Sequence, residues 1–220
     1  MNKEFCERFQ NKEMIKGLIL MCFYLSAHII TIELPAGNFV KENRLFVIYA
    51  VWFLITILLF GSMILNSIKQ LRLKEMGEIL IVWIAVVAGM VVCAILVDHL
   101  GIQNDNEIAL DDEQLAANPI LYAVTVVILG PVVEEVIFRF LIYRIIRRKS
   151  MMIAFVVSVL LFSFIHVDYS VLVAKNYLQL LNMLIYLPLG IGTVVLYERN
   201  RNLMYPIILH MALNLVAVLG

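Results

Sequence analysis

Apolar residues in this chain run in long blocks rather than alternating with polar ones. The blocks fall at roughly 14–32, 45–65, 79–97, 119–147, 151–167, 177–197 and 203–219. A helix needs about 20 mostly apolar residues to cross the hydrocarbon core. The pattern predicts an all-α, polytopic transmembrane helical bundle of about seven spans. Six to eight are compatible with it, because the connector at 168–176 could extend or split the sixth block. The fourth block exceeds one bilayer thickness, so its basic end must project into water. Pro119 suits the first turn of that helix, where its missing N–H is not needed. Only 1–13 and 98–118 are sizeable polar stretches. With no internal repeat and no linker, residues 1–220 read as one integral membrane domain.

Charge placement orients the blocks. Lys3, Arg8, Lys12, Lys16, Lys69, Arg72, Lys74, Arg144, Arg147, Arg148, Lys149, Arg199 and Arg201 fall on one side, against Lys41, Arg44 and Lys175 on the other. By the positive-inside rule the N-terminus is expected in the cytoplasm and the C-terminus outside. The outer segment 98–118 carries six acidic residues and no Lys or Arg; it reads as a solvated loop, since its acids lack a calcium-loop spacing.

Composition supports the same class. The chain is 63% hydrophobic, against about 45–50% for soluble domains. A formal net charge of zero gives no general attraction to nucleic acid. Three cysteines, Cys6, Cys22 and Cys93, make no disulfide framework or metal knuckle. The first block lacks a small-residue cleavage site and reads as a span rather than a leader.

A few polar groups are costly inside such blocks. Glu134, Glu135, Arg139, His166, His210 and Asn214 stand out, because a charge at the bilayer centre costs about 2.5–3.5 kcal/mol even on the lenient insertion scale. His28, Thr56, Thr125, Ser158 and Asn182 are cheaper. His28 lies near a wet span end, and hydroxyls can bond back to their own helix. Glu135 and Arg139 are four apart and can pair on one helix face. Glu134 is offset by about 100° and faces a different neighbour. His210 and Asn214 share a face, as do Phe162 and His166. Counted from the basic ends, Glu134 and His166 lie about 21–22 Å deep and Asn214 about 16 Å. Taken singly, each has a bland reading: an ion pair that pins helices, or interhelical glue worth about 0.6 kcal/mol. Together, at matching depth, they form a candidate site.

These residues resemble a known family. "EEVIFR" is similar to the E-E-x-x-x-R motif of the CPBP intramembrane proteases, which include the CAAX prenyl-protein endopeptidases and bacteriocin-associated proteins. "FSFIH" resembles its F-x-x-x-H motif and "HMALN" its H-x-x-x-N motif. The resemblance covers about 119–219, the motif-bearing catalytic core; the spans in 1–118 are generic. Phe140 departs from the pattern, where a small residue often follows the Arg.

The resemblance implies an intramembrane endopeptidase acting on a membrane-associated or lipidated peptide or protein, CAAX-type or bacteriocin-processing. Glu134 would be general base, His166 would hold the water, and His210 and Asn214 would donate to the oxyanion. Glu135 with Arg139 would be the supporting ion pair. No cofactor is expected. The alternative is zinc held by Glu134, His166 and His210, weakened by the lack of an H-E-x-x-H spacing. Expected partners are membrane lipid and the substrate, in what would be a bacterial plasma membrane. A non-catalytic binding or immunity protein of the same fold is the runner-up function. A proton-coupled transporter is a third, weakened by the absence of two repeated halves.

Overall fold

The computed structural model describes residues 15–17, 19–21, 24, 43–102, 118–167 and 175–219. Most of the first expected span, the central part of the acidic loop and most of the 168–176 connector lie outside them, as do Cys6, Cys22 and His28. Among the described residues every regular element is helical and no strand occurs. Six helices are described in full: α1 Arg44–Lys69, α2 Met76–His99, α3 Pro119–Arg147, α4 Met151–Phe164, α5 Met183–Asn200 and α6 Met204–Leu219. Helical positions at 15–17, 19–21 and 24 precede them. Short 3₁₀ turns, Leu73–Glu75 and Tyr177–Asn182, lead into α2 and α5. The expected all-helical membrane bundle of about seven helices is what the chain forms.

Four of these helices are long and apolar enough to span a bilayer: α1, α2 with its leading turn, α3, and α5 with its leading turn. Their outer faces carry exposed apolar side chains, such as Leu54, Leu58 and Leu65 on α1 and Leu80, Ile84 and Ile95 on α2. In water such a surface would drive aggregation; against acyl chains it is the expected solvent face. α4 and α6 are shorter. The fifth expected span, 151–167, stops as a helix at Phe164 and turns through Ile165–Val167.

α5 packs against α2, α4 and α6, while α3 packs against α1, α4 and α6. Small residues let backbones approach where no hydrophobic force drives helices together in lipid. Gly192 of α5 is one: a Cβ there would sit 2.5 Å from Val86 Cγ2 on α2. Around α3 the core contains Val133, Val136, Ile137 and Phe138, with Phe162 from α4 and Leu209 from α6.

The basic ends of the helices are tied together. Glu198 takes ion pairs from Arg147 (2.7 Å) and Arg201 (2.5 Å) and a hydrogen bond from Tyr143 (2.6 Å). Glu78 pairs with Arg199 at 2.6 Å. Tyr205 donates to Glu75 at 2.5 Å, and Asn202 donates to the Ser67 carbonyl at 2.8 Å. These bonds link α1, α2, α3, α5 and α6 at one end.

Candidate active site

α3 carries both glutamates, and its backbone aims them. The helix is not uniform: Thr125–Leu129 and Val136–Tyr143 are π-helical, and the α-helical turn Gly130–Glu135 lies between them. Wide turns of this kind recur at functional sites because each changes the rotational setting of the residues beyond it. Pro131 sharpens the first. In the π register Gly130 N–H donates to the Thr125 carbonyl, so the next carbonyl, that of Val126, would be served by residue 131. Proline has no N–H to give. The Val126 carbonyl instead accepts from Asn214 Nδ2 of α6 at 2.8 Å. The last motif of the chain thus closes a gap opened by a proline 83 residues earlier.

Glu134 projects toward α4 and α6. Its Oε2 lies 3.8 Å from His166 Nε2 and 3.9 Å from His210 Nε2. Its Oε1 accepts from the Tyr49 hydroxyl of α1 at 3.3 Å. Glu134 and His210 are buried, and His166 is half-buried.

Both imidazoles are oriented by their other nitrogen. His166 Nδ1–H donates to the Phe162 carbonyl at 2.8 Å, a bond available because the helix ends there. The ring is also stacked on Tyr186, with centroids 4.3 Å apart. His210 Nδ1 lies 3.1 Å from Glu135 Oε1 and donates to it. In a neutral imidazole a committed Nδ1–H leaves Nε2 as an acceptor. Both Nε2 atoms face Glu134.

Glu135 points away from Glu134, as the 100° offset implies, and Arg139 Nε meets its Oε2 at 3.0 Å. Arg139 is fully buried. It donates further to Ser158 of α4 at 3.1 Å and to Thr193 of α5, and its guanidinium lies 4.6 Å from the Phe162 ring centroid. Ser158 and Thr193 hand their own hydroxyl protons to the Phe138 and Leu189 carbonyls. An unbroken polar chain therefore runs from α5 through Arg139 and Glu135 to His210.

The six polar residues singled out in the sequence are thus brought to one place, with Glu134, His166 and His210 facing one another. Glu135 does more than hold Arg139: it also sets the ring of His210. Asn214 lies beside them in the cavity wall, with one of its two amide hydrogens spent on Val126. Tyr49, Tyr186, Ser158 and Thr193 belong to the same constellation. The first two are aromatic residues in apolar blocks, and the last two are hydroxyls of the kind that usually bond their own helix.

The site opens into a cavity of about 520 Å³ whose other walls are mostly apolar, including Leu45, Val87, Met90 and Leu213. That is within the size range of about 300–1,000 Å³ usual for small-ligand sites. One ligand atom from each of Glu134, His166 and His210 lies within 4.8 Å of the other two. The trio can surround one water molecule or one small cation.

Comparison with known proteins agrees with this geometry. Residues 116–216 match the family model described as "Type II CAAX prenyl endopeptidase Rce1-like". Over 137 residues the chain is 34% identical to "UPF0177 protein YajF" of Lactococcus lactis subsp. lactis (strain IL1403), covering 61% of this chain and 62% of that protein. Over 121 residues it is 27% identical to "Putative membrane peptidase YdiL" of Bacillus subtilis (strain 168), covering 54% of this chain and 44% of that protein. The matches therefore span less than two thirds of either relative. No solved structure matches the chain. The matched segment holds all three motifs and every residue of the Glu134–His166–His210 cluster. Through that segment the chain is similar to the Rce1-like CAAX endopeptidases, in agreement with the motifs that resemble the CPBP family.

Proposed function

We propose that this integral membrane protein is an endopeptidase that hydrolyses a peptide bond with a water activated by Glu134. The observation that carries the reading is the meeting of Glu134 Oε2 with two imidazole Nε2 atoms, 3.8 and 3.9 Å away, at the wall of one cavity. A water placed among them donates one hydrogen to Glu134 and one to His166. As its oxygen attacks the substrate carbonyl carbon, Glu134 takes the proton. Glu134 then gives that proton to the departing amine nitrogen as the C–N bond breaks. The developing oxyanion needs donors. In this reading they are His210, held by Glu135 behind it, and the second amide hydrogen of Asn214. A well-placed donor of this kind contributes about 2.7–4 kcal/mol.

A second reading has its own support. Three ligand atoms within 4.8 Å of one another suit zinc. Each histidine presents Nε2 with its Nδ1 fixed by a carbonyl or a carboxylate, the usual outer arrangement of zinc-bound histidine. Glu134, His166 and His210 would hold the ion, which when bound would acidify a water ligand.

Purified protein in lipid nanodiscs tests both. Glu134→Gln should lower turnover of a cleavable membrane peptide by about 10²–10⁴-fold, the usual weight of a positioned general base. The zinc reading requires stoichiometric metal in the wild type and lost activity on chelation. Unchanged cleavage by Glu134→Gln refutes the base, and a phenotype indifferent to that substitution favours a binding or immunity protein.

The orientation we adopt has the N-terminus in the cytoplasm. The α1–α2, α3–α4 and α5–α6 turns carry Lys69, Arg72, Lys74, Arg148, Lys149, Arg199 and Arg201, whereas the opposite described ends carry Arg44 and Lys175. This is the distribution the positive-inside rule assigns to a cytoplasmic face. A bacterial plasma membrane is the natural setting, given the bacterial relatives.

A further inference from the structure

We infer that the active site takes its substrate from the extracytoplasmic side, so that the scissile bond belongs to an apolar peptide segment presented outside the cytoplasm. The inference rests on the peptidase reading and orientation above, and deepens them by naming where the substrate comes from.

Three observations point the same way. The first is where the cavity lies along the helices. Its walls include Leu45, the second residue of α1, Tyr122, the fourth of α3, and Val216 to Val218, close to the end of α6. All of these are at the end of the bundle opposite the basic turns.

The second is helix length. α4 has 14 residues, about 21 Å at 1.5 Å per residue. It starts at the basic end, and the hydrocarbon core is about 30 Å thick. It therefore stops short of the opposite boundary, and any tilt increases the shortfall. His166 lies just past the end of α4, so the catalytic trio sits at the floor of a recess on that side, within reach of water.

The third is the closure of the basic end. Glu198 with Arg147, Arg201 and Tyr143, Glu78 with Arg199, and Tyr205 with Glu75 cross-link the helices there. A peptide arriving from the cytoplasm would have to break these bonds, of which only the Glu78–Arg199 pair has an exposed partner, and then pass the packed core around Phe138 and Phe162.

The chemistry of the walls narrows the substrate. Away from the trio they are mostly aliphatic. Val91 and Val216, each 53% exposed, line the cavity and also face the acyl chains. An extended peptide can keep apolar side chains in lipid against these residues while its backbone carbonyl reaches Glu134. A folded domain would not fit.

The test has two arms on the full-length protein in intact cells. In a background with Cys6, Cys22 and Cys93 replaced by Ser, single cysteines are placed by Val218→Cys and His99→Cys at the open end. Lys149→Cys and Lys74→Cys mark the basic end. A membrane-impermeant maleimide should label the first pair on intact cells and the second only after permeabilisation. Labelling of Lys149→Cys and Lys74→Cys on intact cells, or protection of both open-end sites until permeabilisation, overturns the inference. Two sites at each end guard against one variant that fails to fold.

The second arm compares new peptide termini in the medium, at the cell surface and in the cytosol for wild type and Glu134→Gln. Glu134-dependent cuts should fall in exported or outward-facing segments. Cuts confined to cytoplasmic tails, lipidated ones included, overturn the inference. Absence of any Glu134-dependent cut sinks the peptidase reading instead, and the labelling arm, which needs no turnover, then decides the side alone.

Discussion

Replacing Arg139 by Met isolates the energetics on which the site is built. The guanidinium is fully buried, pairs with the Glu135 carboxylate and donates to Ser158 and Thr193. The two hydroxyls survive its loss, because each still donates to a backbone carbonyl of its surroundings. Glu135 does not fare as well. Its Oε2 pairs with Arg139, and its other oxygen, Oε1, meets His210. Removing one member of a buried pair leaves a charge without compensation, at a cost of about 3–5 kcal/mol. Arg139→Met should therefore lose about that much stability in a denaturant titration in bicelles followed by Trp fluorescence. Glu135→Gln in the same chain removes the stranded charge, while its amide oxygen can still accept from His210. The double variant should recover much of the loss and be more stable than Arg139→Met alone. An Arg139→Met variant within about 0.5 kcal/mol of wild type, the range of an ordinary surface change, would refute the reasoning. So would a double variant no better than the single one.

Two more outcomes rest on particular contacts. Tyr49→Phe removes one hydrogen bond to Glu134 without removing the ring that packs on Trp52 (centroids 4.9 Å apart); kcat should fall by about 2–10-fold, stability should fall by no more than the about 0.5–1.5 kcal/mol of one net hydrogen bond, and equal activity would remove Tyr49 from the site. Gly192→Val forces bulk against Val86, where even a Cβ would come within 2.5 Å; overpacking costs about 1–3 kcal/mol, to be read as a lower midpoint in the same titration.

The spans are legible in the sequence because hydrophobic blocks of bilayer length have few other uses. Charges inside those blocks mark Glu134, Glu135 and Arg139, and helical spacing separates the ion pair from the free carboxylate. Depth counted along each span brings in His166, while His210 comes out about one turn short of Asn214 and so about two turns from the level of Glu134. The structure brings it to 3.9 Å of Glu134. Other features give no such signal. Tyr49 is one of nine tyrosines and lies 85 positions from the carboxylate it meets; nothing local marks it. Ser158 and Thr193 look like ordinary hydroxyls until a buried guanidinium is placed between them. Pro131 is visible, but its unfilled carbonyl depends on a π register that no periodicity of side chains reveals. The early end of α4 is hidden because the residues just after Phe164 include more apolar ones.

The two wide turns of α3 make the length of that helix a fixed quantity. Each accommodates one residue more than an ordinary turn. Were the same residues wound as a regular α-helix, everything beyond each wide turn would swing by about 100°. Straightening the first would carry both glutamates off their histidines. Straightening the second would keep the carboxylates and disturb the setting of Arg139 against Glu135. A designer grafting this helix into another bundle would have to transplant its irregularities with its motif.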